Sequence, residues 1–408
     1  MRSRAWWAKT TRGWRPRAGT ENDSRSRSTH LRRGRGKCWR RPSRCARRNL
    51  RRRTCSSLRS RNRRSRTRSE GRRARGSIVP ECRAVESLIA EFASSLGVEV
   101  KLREQVSLVP YTTLQAGGRA RWLLEVRNTS EFASAAAKAQ ELGLRVLILG
   151  SGSNVLPSED GVDELVLVNL CRRVEIRGTT YAETGAAFQD VFLKCAQAGL
   201  TGLEFAVGIP GTLGGALVSN AGAYRSNLSE CLSEVEIVQD AERKWVPPAH
   251  LEFKYRDSVL RRPNPPAIAL LAVRLDLKRD APRAIYERAR DYQRQRIGKQ
   301  PPQASAGSFF KNVLDKSLAR SLDGLSVSMQ EAGVVPAGYL IEACGLKGYR
   351  IGRAVISTKH ANFICNLGGA TATHIRQLAE EAKRRVQDRF GVTLEEEVLY
   401  IGNWGAQE

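Results

Sequence analysis

Apolar runs alternate with amphipathic segments over residues 84–156, and this alternation predicts layered α/β structure. The segment AVESLIAEFASSLG (84–97) predicts a helix that ends at Gly97. The segment TSEFASAAAKAQELG (129–143) predicts a second helix, with a threonine or serine N-cap and an end at Gly143. The following LRVLILGSGSNVL (144–156) predicts a buried strand and then a glycine turn.

The pattern changes farther along the chain. Residues 164–280 predict mostly short strands, with one helix in AFQDVFLKCAQAG (187–199). A helix-rich section starts near Ala284 and is broken by Pro301 and Pro302. We therefore expect two globular units, residues 81–283 in two α/β lobes and residues 284–403, with a last strand in VTLEEEVLYIG (392–402); a division into three units stays open.

The charge of the chain is concentrated at one end. The 408 residues carry a formal charge of +28 at pH 7, which taken alone favours a nucleic-acid-binding protein. Residues 1–76 contain 29 of the 69 lysines and arginines and 3 of the 41 acidic residues, a charge of about +26. The rest of the chain is close to neutral, at about +2, so we interpret residues 1–80 as a basic leader on a globular body.

The leader is rich in arginine and serine and poor in aliphatic residues, so we expect it to be disordered. Three interpretations of it stay open. Its arginines suit contacts with nucleic-acid phosphates. Its scarcity of acidic residues is typical of a transit peptide. The segment also has the character of non-functional sequence translated from upstream of a true start.

Cysteines and hydropathy exclude several classes of protein. The nine cysteines form no CxxC pair, so zinc and thioredoxin-like chemistry lack a signature and we expect no metal. Free thiols in a reducing cytoplasm are the default for such a chain. No apolar run reaches the ~18 residues of a membrane span, and we expect a cytoplasmic protein without membrane contact.

Two glycine-rich stretches are candidates for phosphate binding. GSGSNVL (150–156) follows a strand pattern, but Val155 stands at the third glycine position of the dinucleotide fingerprint. This stretch is either a tight turn or a phosphate loop in which Gly150 and Gly152 admit a ligand close to the backbone. EFAVGIPGTLGGALVSNAGAY (204–224) favours a nucleotide site, because successive unhindered amides suit a pyrophosphate; the alternative is a glycine-rich turn at a domain junction.

Three further motifs carry reactive side chains. In FKYRDSVL (253–260), Arg256 is either a surface neighbour of Asp257 or a two-pronged ligand for a carboxylate. Ser308 in ASAGSFFKN (304–312) has neither a G-x-S-x-G elbow nor a neighbouring base, which argues against a nucleophile and favours a turn serine on local evidence. The acidic run Glu395–Glu397 is either solvated or carries one glutamate inward; in a strand its first and third members share a face.

Seven motifs in this order resemble the UDP-N-acetylenolpyruvoylglucosamine reductase (MurB-type) family: YTTLQAGG, GSGSNVL, GLEFAVGIPGTLGGALVSNAGAY, FKYRDS, SAGSFFKN, AGYLIEACGLKGYRIGRAVISTKHANFICN and LEEEVLYIG. The resemblance runs from about Ser87 to Gly402 and is to the compact form of the family, which lacks an inserted tyrosine-bearing loop over the substrate. It implies a mixed α/β and α+β protein. Residues 81–283 would form a vanillyl-alcohol-oxidase-like (PCMH-type) FAD-binding domain, and residues 284–403 an α+β substrate-binding domain whose last strand returns toward the flavin.

The resemblance also implies an activity. Members of the family reduce UDP-N-acetylglucosamine enolpyruvate to UDP-N-acetylmuramate in peptidoglycan synthesis. NADPH reduces FAD, the flavin passes hydride to the β-carbon of the enolpyruvyl group, and an acid protonates the α-carbon. FAD, NADPH and the nucleotide sugar are therefore the implied cofactors and substrate, and we expect a monomer.

Matching the motifs residue by residue implies roles for individual side chains. The family's catalytic arginine, proton-donating serine and catalytic glutamate fall on Arg256, Ser308 and Glu397. The positions implied to contact substrate are Tyr224, Tyr255, Arg296, Lys299 and Asn312. The positions implied to hold FAD are Gly117, Gly118, Gly150, Ser151, Gly152, Ser153, Asn154, Gly208, Pro210, Gly211, Thr212, Gly214, Gly215, Asn220, Ala221 and Gly222.

Two residues depart from the family pattern. Arg225 replaces the usual glycine after NAGAY, and Val313 replaces a frequent proline after FKN. Neither change removes a catalytic group. Two other functions stay open: a different FAD-dependent oxidoreductase on the same fold, and a nucleic-acid-binding protein that acts through the leader.

Overall fold

The computed structural model describes residues 80–96 and 101–405. The predictions made for the basic leader fall on residues outside this range, apart from Pro80, where the first helix begins.

The first part of the described chain is a mixed sheet with helices beside it. Its sheet has the strand order β1-β2-β5-β3, in which β2, β5 and β3 are parallel and β1 is antiparallel to β2. The elements in chain order are α1 Pro80–Ser95, β1 Arg103–Ser107, β2 Arg119–Val126, α2 Thr129–Glu141, β3 Val146–Leu149, β4 Val155–Pro157 and β5 Val162–Asn169. Phe92 of α1 and Phe132 of α2 are fully buried in a core shared with the sheet residue Leu124.

Both predicted helices of this part are confirmed, but the predicted cap of α2 is wrong. Asn128 is the N-cap, and its side chain accepts a hydrogen bond from the Glu131 amide at 2.9 Å. Thr129 is already helical, and its hydroxyl donates to the buried Glu183 carboxylate instead. The Thr129 hydroxyl is thus bonded to Glu183, 54 residues away along the chain, and Asn128 serves as the cap in its place.

The middle of the chain is built on an antiparallel sheet with the strand order β12-β11-β13-β7-β6. The predicted short strands and the single predicted helix, α3, are confirmed. The elements are β6 Val174–Arg177, β7 Thr179–Glu183, α3 Phe188–Gln197, β8 Leu200–Thr201, α4 Leu213–Val218, β9 Gly222–Ala223, β10 Ser226–Asn227, β11 Leu232–Gln239, β12 Glu242–Val246, β13 Ala269–Leu275 and β14 Lys278–Arg279. The short helix α4 was not predicted, because the glycines in its sequence are typical of a loop. Thr212 caps this helix, since its side chain accepts a hydrogen bond from the Gly215 amide at 3.3 Å.

The last part mixes helices with short strands around the sheet β15-β20-β19-β18. Its elements are α5 Pro282–Ile297, β15 Ala304–Ser305, β16 Val313–Leu314, α6 Lys316–Ser321, α7 Val327–Ala332, β17 Val334–Val335, α8 Ala337–Ala343, β18 Arg350–Ile351, β19 Ala354–Ile356, β20 Ile364–Asn366, α9 Ala372–Phe390 and β21 Leu399–Ile401. The prediction that a helix ends before Pro301 is confirmed by α5. Helix α9 packs on this sheet through Ile375, Leu378 and Val386, each fully buried and each contributing about 1.5–3 kcal/mol.

The end of the chain returns to the first part of the molecule. Strand β21 pairs in parallel with β4, with Leu399 opposite Val155, directly after the first glycine stretch. The last strand is shorter than predicted and begins after the three glutamates, which form the approach to it. Among the helices described, none is both long and apolar enough to cross a bilayer.

Candidate functional site

One cavity of about 440 Å³ gathers most of the motifs singled out in the sequence. It lies where both glycine stretches, the end of α5, the Ser308 loop and the approach to β21 meet. The predicted site residues that line it are Gly150, Ser151, Gly152, Ser153, Asn154, Pro210, Gly211, Thr212, Gly215, Ala221, Gly222, Tyr224, Arg256, Arg296, Lys299, Ser308 and Glu397. The first and last of these predicted residues, Gly150 and Glu397, are 247 positions apart in the sequence and yet share one surface.

Seven other predicted residues do not line this cavity: Gly117, Gly118, Gly208, Gly214, Asn220, Tyr255 and Asn312. Several of them support the residues that do. The Gly118 amide donates to the Ser158 carbonyl at 2.8 Å, just beyond β4, and the Gly214 amide donates to the Thr184 carbonyl at 2.8 Å. The Asn312 side chain accepts from the Ala337 amide at 3.3 Å, and Tyr255 is 51% exposed.

The two glycine stretches pack against each other at one side of the cavity. The Ser153 hydroxyl donates to the Pro210 carbonyl at 3.3 Å. Gly211 has a φ of 119°, and a Cβ there would lie 2.6 Å from the Ser153 oxygen, so only glycine fits. In the part of the chain that the structure describes, the amides of residues 151–153 donate to no protein acceptor. Three successive amide donors beside a glycine-lined groove fit the pyrophosphate of a dinucleotide such as FAD.

Arg256 is presented by a strained tight turn. The backbones of Lys254 and Asp257 exchange hydrogen bonds at 3.0 and 3.3 Å, and Arg256 between them has a φ of 53°. The buried Asn220 holds this turn from the glycine stretch, since its side chain donates to the Lys254 carbonyl at 3.1 Å. Arg256 itself donates to the Gly222 carbonyl at 2.6 Å. A non-glycine residue in the left-handed region costs about 1–3 kcal/mol, and it persists because these contacts fix it.

Arg256 faces Glu397 across the cavity wall. Its Nε lies 3.3 Å from the Glu397 Oε1, and the two side chains are only 24% and 20% exposed. Burial raises the pKa of the Glu397 carboxyl, and the positive charges of Arg256, Arg261 and Lys311 oppose that rise. The pair is therefore an ion pair held largely away from water, where charge interactions are stronger than at a surface.

The other two glutamates of the run go elsewhere. Glu395 is exposed and pairs with Lys311, whereas Glu396 pairs with Lys383 of α9 at 3.0 Å. Of the three, only Glu397 lines the cavity. The three precede the assigned strand, but Glu396 forms an antiparallel bridge with Phe310, and the expected alternation holds: Glu395 and Glu397 both face Lys311, whereas Glu396 turns to Lys383.

Ser308 is carried by a rigid backbone. The Phe309 amide donates to the Asn362 carbonyl at 2.7 Å, and the Asn362 side chain bonds both backbone groups of Phe310, at 2.9 and 3.0 Å. Both rings are almost completely buried, and the Glu397 amide donates to the Phe309 carbonyl at 2.8 Å. The Ser308 hydroxyl has no hydrogen-bond partner among the described residues, so it is available to a ligand.

The far side of the cavity carries aromatic and basic groups. The rings of Tyr224 and Tyr292 stack with centroids 3.8 Å apart and an angle of 4°, and the Tyr224 hydroxyl donates to the Tyr292 carbonyl at 2.9 Å. Arg296 lies 5.6 Å from the centre of the Tyr224 ring. Burial lowers the pKa of Arg296, hydrogen bonding to Tyr224 opposes this, and the charge of Arg256 lowers it further.

Among the cavity residues that the sequence analysis missed, two carry titratable side chains, Arg261 and His360. Arg261 follows Arg256 by five positions and lines the cavity from a short 3₁₀ turn. His360 also lines it; its Nδ1 accepts from the Asn362 amide at 3.2 Å, which leaves Nε2 to carry the proton of the neutral ring. Burial and the nearby charges of Lys299 and Lys347 lower the pKa of His360. A sequence signal existed for both, since His360 lies inside one of the seven motifs and Arg261 lies three residues after the end of FKYRDS.

Family models match two parts of the chain. Residues 120–244 match the FAD binding domain family, and residues 300–401 match the C-terminal domain of UDP-N-acetylenolpyruvoylglucosamine reductase. The FAD-binding α/β fold expected from the sequence is thereby confirmed.

Individual relatives agree with the family models. A UDP-N-acetylenolpyruvoylglucosamine reductase of Rubrobacter xylanophilus is 38% identical over 295 residues, which are 72% of this chain and 92% of the relative. The protein of the same name in Thermotoga maritima is 35% identical over 291 residues, 71% of this chain and 94% of the relative. The crystal structure of UDP-N-acetylenolpyruvylglucosamine reductase (MurB) from Thermus caldophilus is 34% identical, with a TM-score of 0.60 and coverage of 74% of this chain and 99% of that chain.

Proposed function

Because the chain belongs to the UDP-N-acetylenolpyruvoylglucosamine reductase family, we propose that the 440 Å³ cavity is its active site and that Arg256, Ser308 and Glu397 are its catalytic residues. The chain is an FAD-dependent oxidoreductase. It uses NADPH to reduce UDP-N-acetylglucosamine enolpyruvate to UDP-N-acetylmuramate in peptidoglycan synthesis.

One observation carries the assignment of the site. A largely buried ion pair, Arg256 with Glu397, and an unbonded serine hydroxyl, Ser308, line the same cavity as two packed glycine stretches. Cofactor, substrate and acid can therefore be brought together in one place, which is the first requirement for a hydride and a proton to add to one double bond.

The glycine stretches are proposed to hold FAD. The unbonded amides of residues 151–153 would take the pyrophosphate, and Gly211 keeps the second stretch close enough to complete the groove. When bound, FAD accepts hydride from NADPH and donates it to the enolpyruvyl β-carbon. The protein supplies position, charge and the proton.

Arg256 and Glu397 are proposed to stabilise the charge that develops on the substrate. Hydride addition to the β-carbon places negative charge on the α-carbon and its carboxylate. The turn fixes the Arg256 backbone, and Gly222 and Glu397 fix its guanidinium, so the group is ready to bind that carboxylate with little reorganisation. Ser308 would then deliver its proton to the α-carbon, because its hydroxyl has no competing protein acceptor.

Tyr224, Arg296 and Lys299 are proposed to bind the nucleotide part of the substrate. Arg296 and Lys299 line the cavity at the end of α5 and carry the positive charge that a diphosphate needs. The flat Tyr224–Tyr292 stack beside them offers an apolar surface. Tyr255 and Asn312, also predicted to contact substrate, do not line the cavity, and we propose no direct contact for them.

We also propose the organisation of the protein that the sequence predicted. Residues 81–283 would bind FAD, residues 284–403 would bind substrate, and the protein would act as a cytoplasmic monomer. The family matches to residues 120–244 and 300–401 support the division. Gel filtration and cell fractionation test the last two points, and a dimer or a membrane-bound form would contradict them.

The function is tested with the purified full-length protein and its visible spectrum. We expect a flavin absorbance that bleaches with NADPH under anaerobic conditions and recovers when UDP-N-acetylglucosamine enolpyruvate is added. Bleaching without recovery would refute the proposed substrate. A colourless protein that does not bind added FAD would refute the proposed cofactor site.

A further inference from the structure

Arg261 is a charged residue in the cavity wall whose burial is only partly compensated by its contacts. Its Nη2 donates to the backbone carbonyl of Glu397 at 2.9 Å, whereas its buried Nη1 has no hydrogen-bond partner among the described residues. Burial lowers the pKa of Arg261, and the negative charges of Glu397, Asp257 and Glu395 oppose this. A partly buried guanidinium with one unmet donor costs free energy, so an apolar residue would serve stability better.

The contacts of Arg261 converge on one residue. The Glu397 carbonyl accepts two hydrogen bonds, from Arg261 and from the Asn154 side chain, both at 2.9 Å. The Glu397 amide donates to the Phe309 carbonyl at 2.8 Å, and the Leu399 amide donates to the Asn154 carbonyl at 3.0 Å. The backbone of Glu397 is thus held from both sides before β21 begins, although it lies outside any assigned strand.

Charge reinforces this geometry. Three cations face the Glu397 carboxylate: Arg256 through the ion pair at 3.3 Å, then Arg261, then Lys311. Lys311 also pairs with the exposed Glu395, so part of its charge is already neutralised. Arg256 and Arg261 come from the same loop, five residues apart, and approach Glu397 by its side chain and by its main chain respectively.

We propose that Arg261 is a positioning residue for the reaction: it fixes the main chain of Glu397 and keeps its carboxylate charged, so that Arg256 stays aligned with the substrate. This role rests on the catalytic role proposed for Glu397. It predicts that removing Arg261 impairs the substrate half of the reaction and leaves flavin reduction by NADPH intact.

The sign of the pH effect follows from the charges. Burial raises the pKa of Glu397 and the facing cations hold that rise back. Without Arg261, less positive charge opposes the rise in the pKa of Glu397, so a higher pH is needed to ionise the Glu397 carboxyl. The acidic limb of the pH–rate profile therefore moves upward, by about one pH unit for a neighbouring charge.

The experiment measures single-turnover reoxidation of NADPH-reduced holoenzyme by UDP-N-acetylglucosamine enolpyruvate across pH. Arg261→Met should lower the plateau rate by about 10- to 100-fold and move the acidic limb upward. The matched control is Arg262→Met, which removes the same charge one residue later, from an exposed side chain paired with Glu252. The control should match the parent in rate and in pH profile.

A second variant covers the case in which Arg261→Met does not retain FAD. Arg261→Lys keeps the charge but loses the forked donor, so the acidic limb should stay at the parent's pH while the plateau rate falls. A limb that moves in Arg262→Met as far as in Arg261→Met overturns the proposal, and so does a limb that moves in Arg261→Lys. Parent-like plateau rates in the Arg261 variants overturn it as well.

Two prior measurements separate this inference from the function it rests on. Failure of the parent to reduce the enolpyruvyl substrate refutes the proposed function itself. Full activity of Glu397→Gln refutes the role of Glu397. The Arg261 variants test the positioning role of Arg261 when the parent protein is active and Glu397→Gln is inactive.

Discussion

Replacing Ser308 by alanine removes one oxygen atom that the folded protein does not use. The hydroxyl has no hydrogen-bond partner within the described residues, and the side chain is half-buried at the cavity wall. The backbone around it is fixed by Asn362 and by the buried Phe309 and Phe310, none of which Ser308→Ala alters. The free energy of unfolding should therefore change by less than about 0.5 kcal/mol.

The effect on catalysis should be far larger. A positioned general acid contributes a factor of about 10²–10⁴, which corresponds to roughly 2.7–5.5 kcal/mol of activation free energy. We expect Ser308→Ala to bind FAD and to be reduced by NADPH at the parent's rate. Reoxidation by the enolpyruvyl substrate should slow by several orders of magnitude.

Stopped-flow absorbance of the flavin separates the two half-reactions. Ser305→Ala is the matched control, because it removes the same atom three residues earlier from a serine that does not line the cavity. The control should leave both half-reactions and the urea midpoint unchanged. Reoxidation of Ser308→Ala at near the parent's rate would return this serine to the structural turn role, and an equal loss in both half-reactions would point to a disturbed cofactor instead.

Three further variants test the cofactor groove, the scaffold and the buried charge. Gly211→Ala should purify with little flavin absorbance, because the φ of Gly211 is 119° and an added Cβ would lie 2.6 Å from the Ser153 oxygen. The control Gly178→Ala, at a glycine with a φ of 78° and open space around it, should stay yellow. Equal flavin content in the two variants would contradict this prediction. Asn362→Ala leaves the buried amide and carbonyl of Phe310 unsatisfied, so the free energy of unfolding, measured by urea denaturation, should fall by about 2–4 kcal/mol. A change below about 0.5 kcal/mol would show that water replaces the Asn362 side-chain amide. Glu397→Gln should abolish substrate reduction yet raise Tm at neutral pH. Burial raises the pKa of the Glu397 carboxyl in the folded protein, so ionising it destabilises the folded state once the pH is above the ordinary pKa of a glutamate. The gain in Tm should vanish in acid, where the carboxyl is protonated in both states, and a lower Tm than the parent's at neutral pH would refute the sign.

Local sequence signals predicted the regular elements well. Helices α2, α3 and α5 were predicted correctly because their apolar spacing and the glycine or proline after each of them act within a few residues. The cap of α2 was missed because the Thr129 hydroxyl bonds Glu183, a partner from another part of the fold that local propensity does not register. Helix α4 was missed because its glycines are poor helix formers, and the Gly214 amide is held by the distant Thr184 carbonyl.

The candidate site could be predicted as a set of residues but not as an arrangement. The family resemblance named Arg256, Ser308 and Glu397, and all three line one cavity. Composition gave no means to choose among the three adjacent glutamates. That choice depends on partners from elsewhere in the fold: Lys311 pairs with Glu395, Lys383 pairs with Glu396, and Arg256 pairs with Glu397 at the cavity.

Arg256 shows why the arrangement lies beyond local sequence. Its φ of 53° is unfavourable for arginine, and the Lys254–Asp257 turn alone would not select it. The conformation is imposed by Asn220, which lies 36 positions earlier and itself has a φ of 40°. Asn220 thus holds the Lys254 carbonyl, two residues before Arg256, and the strain at both positions persists because such contacts fix the turn. A site built this way is preorganised by the fold, so substitutions at Asn220 should reduce activity through Arg256 although Asn220 does not line the cavity.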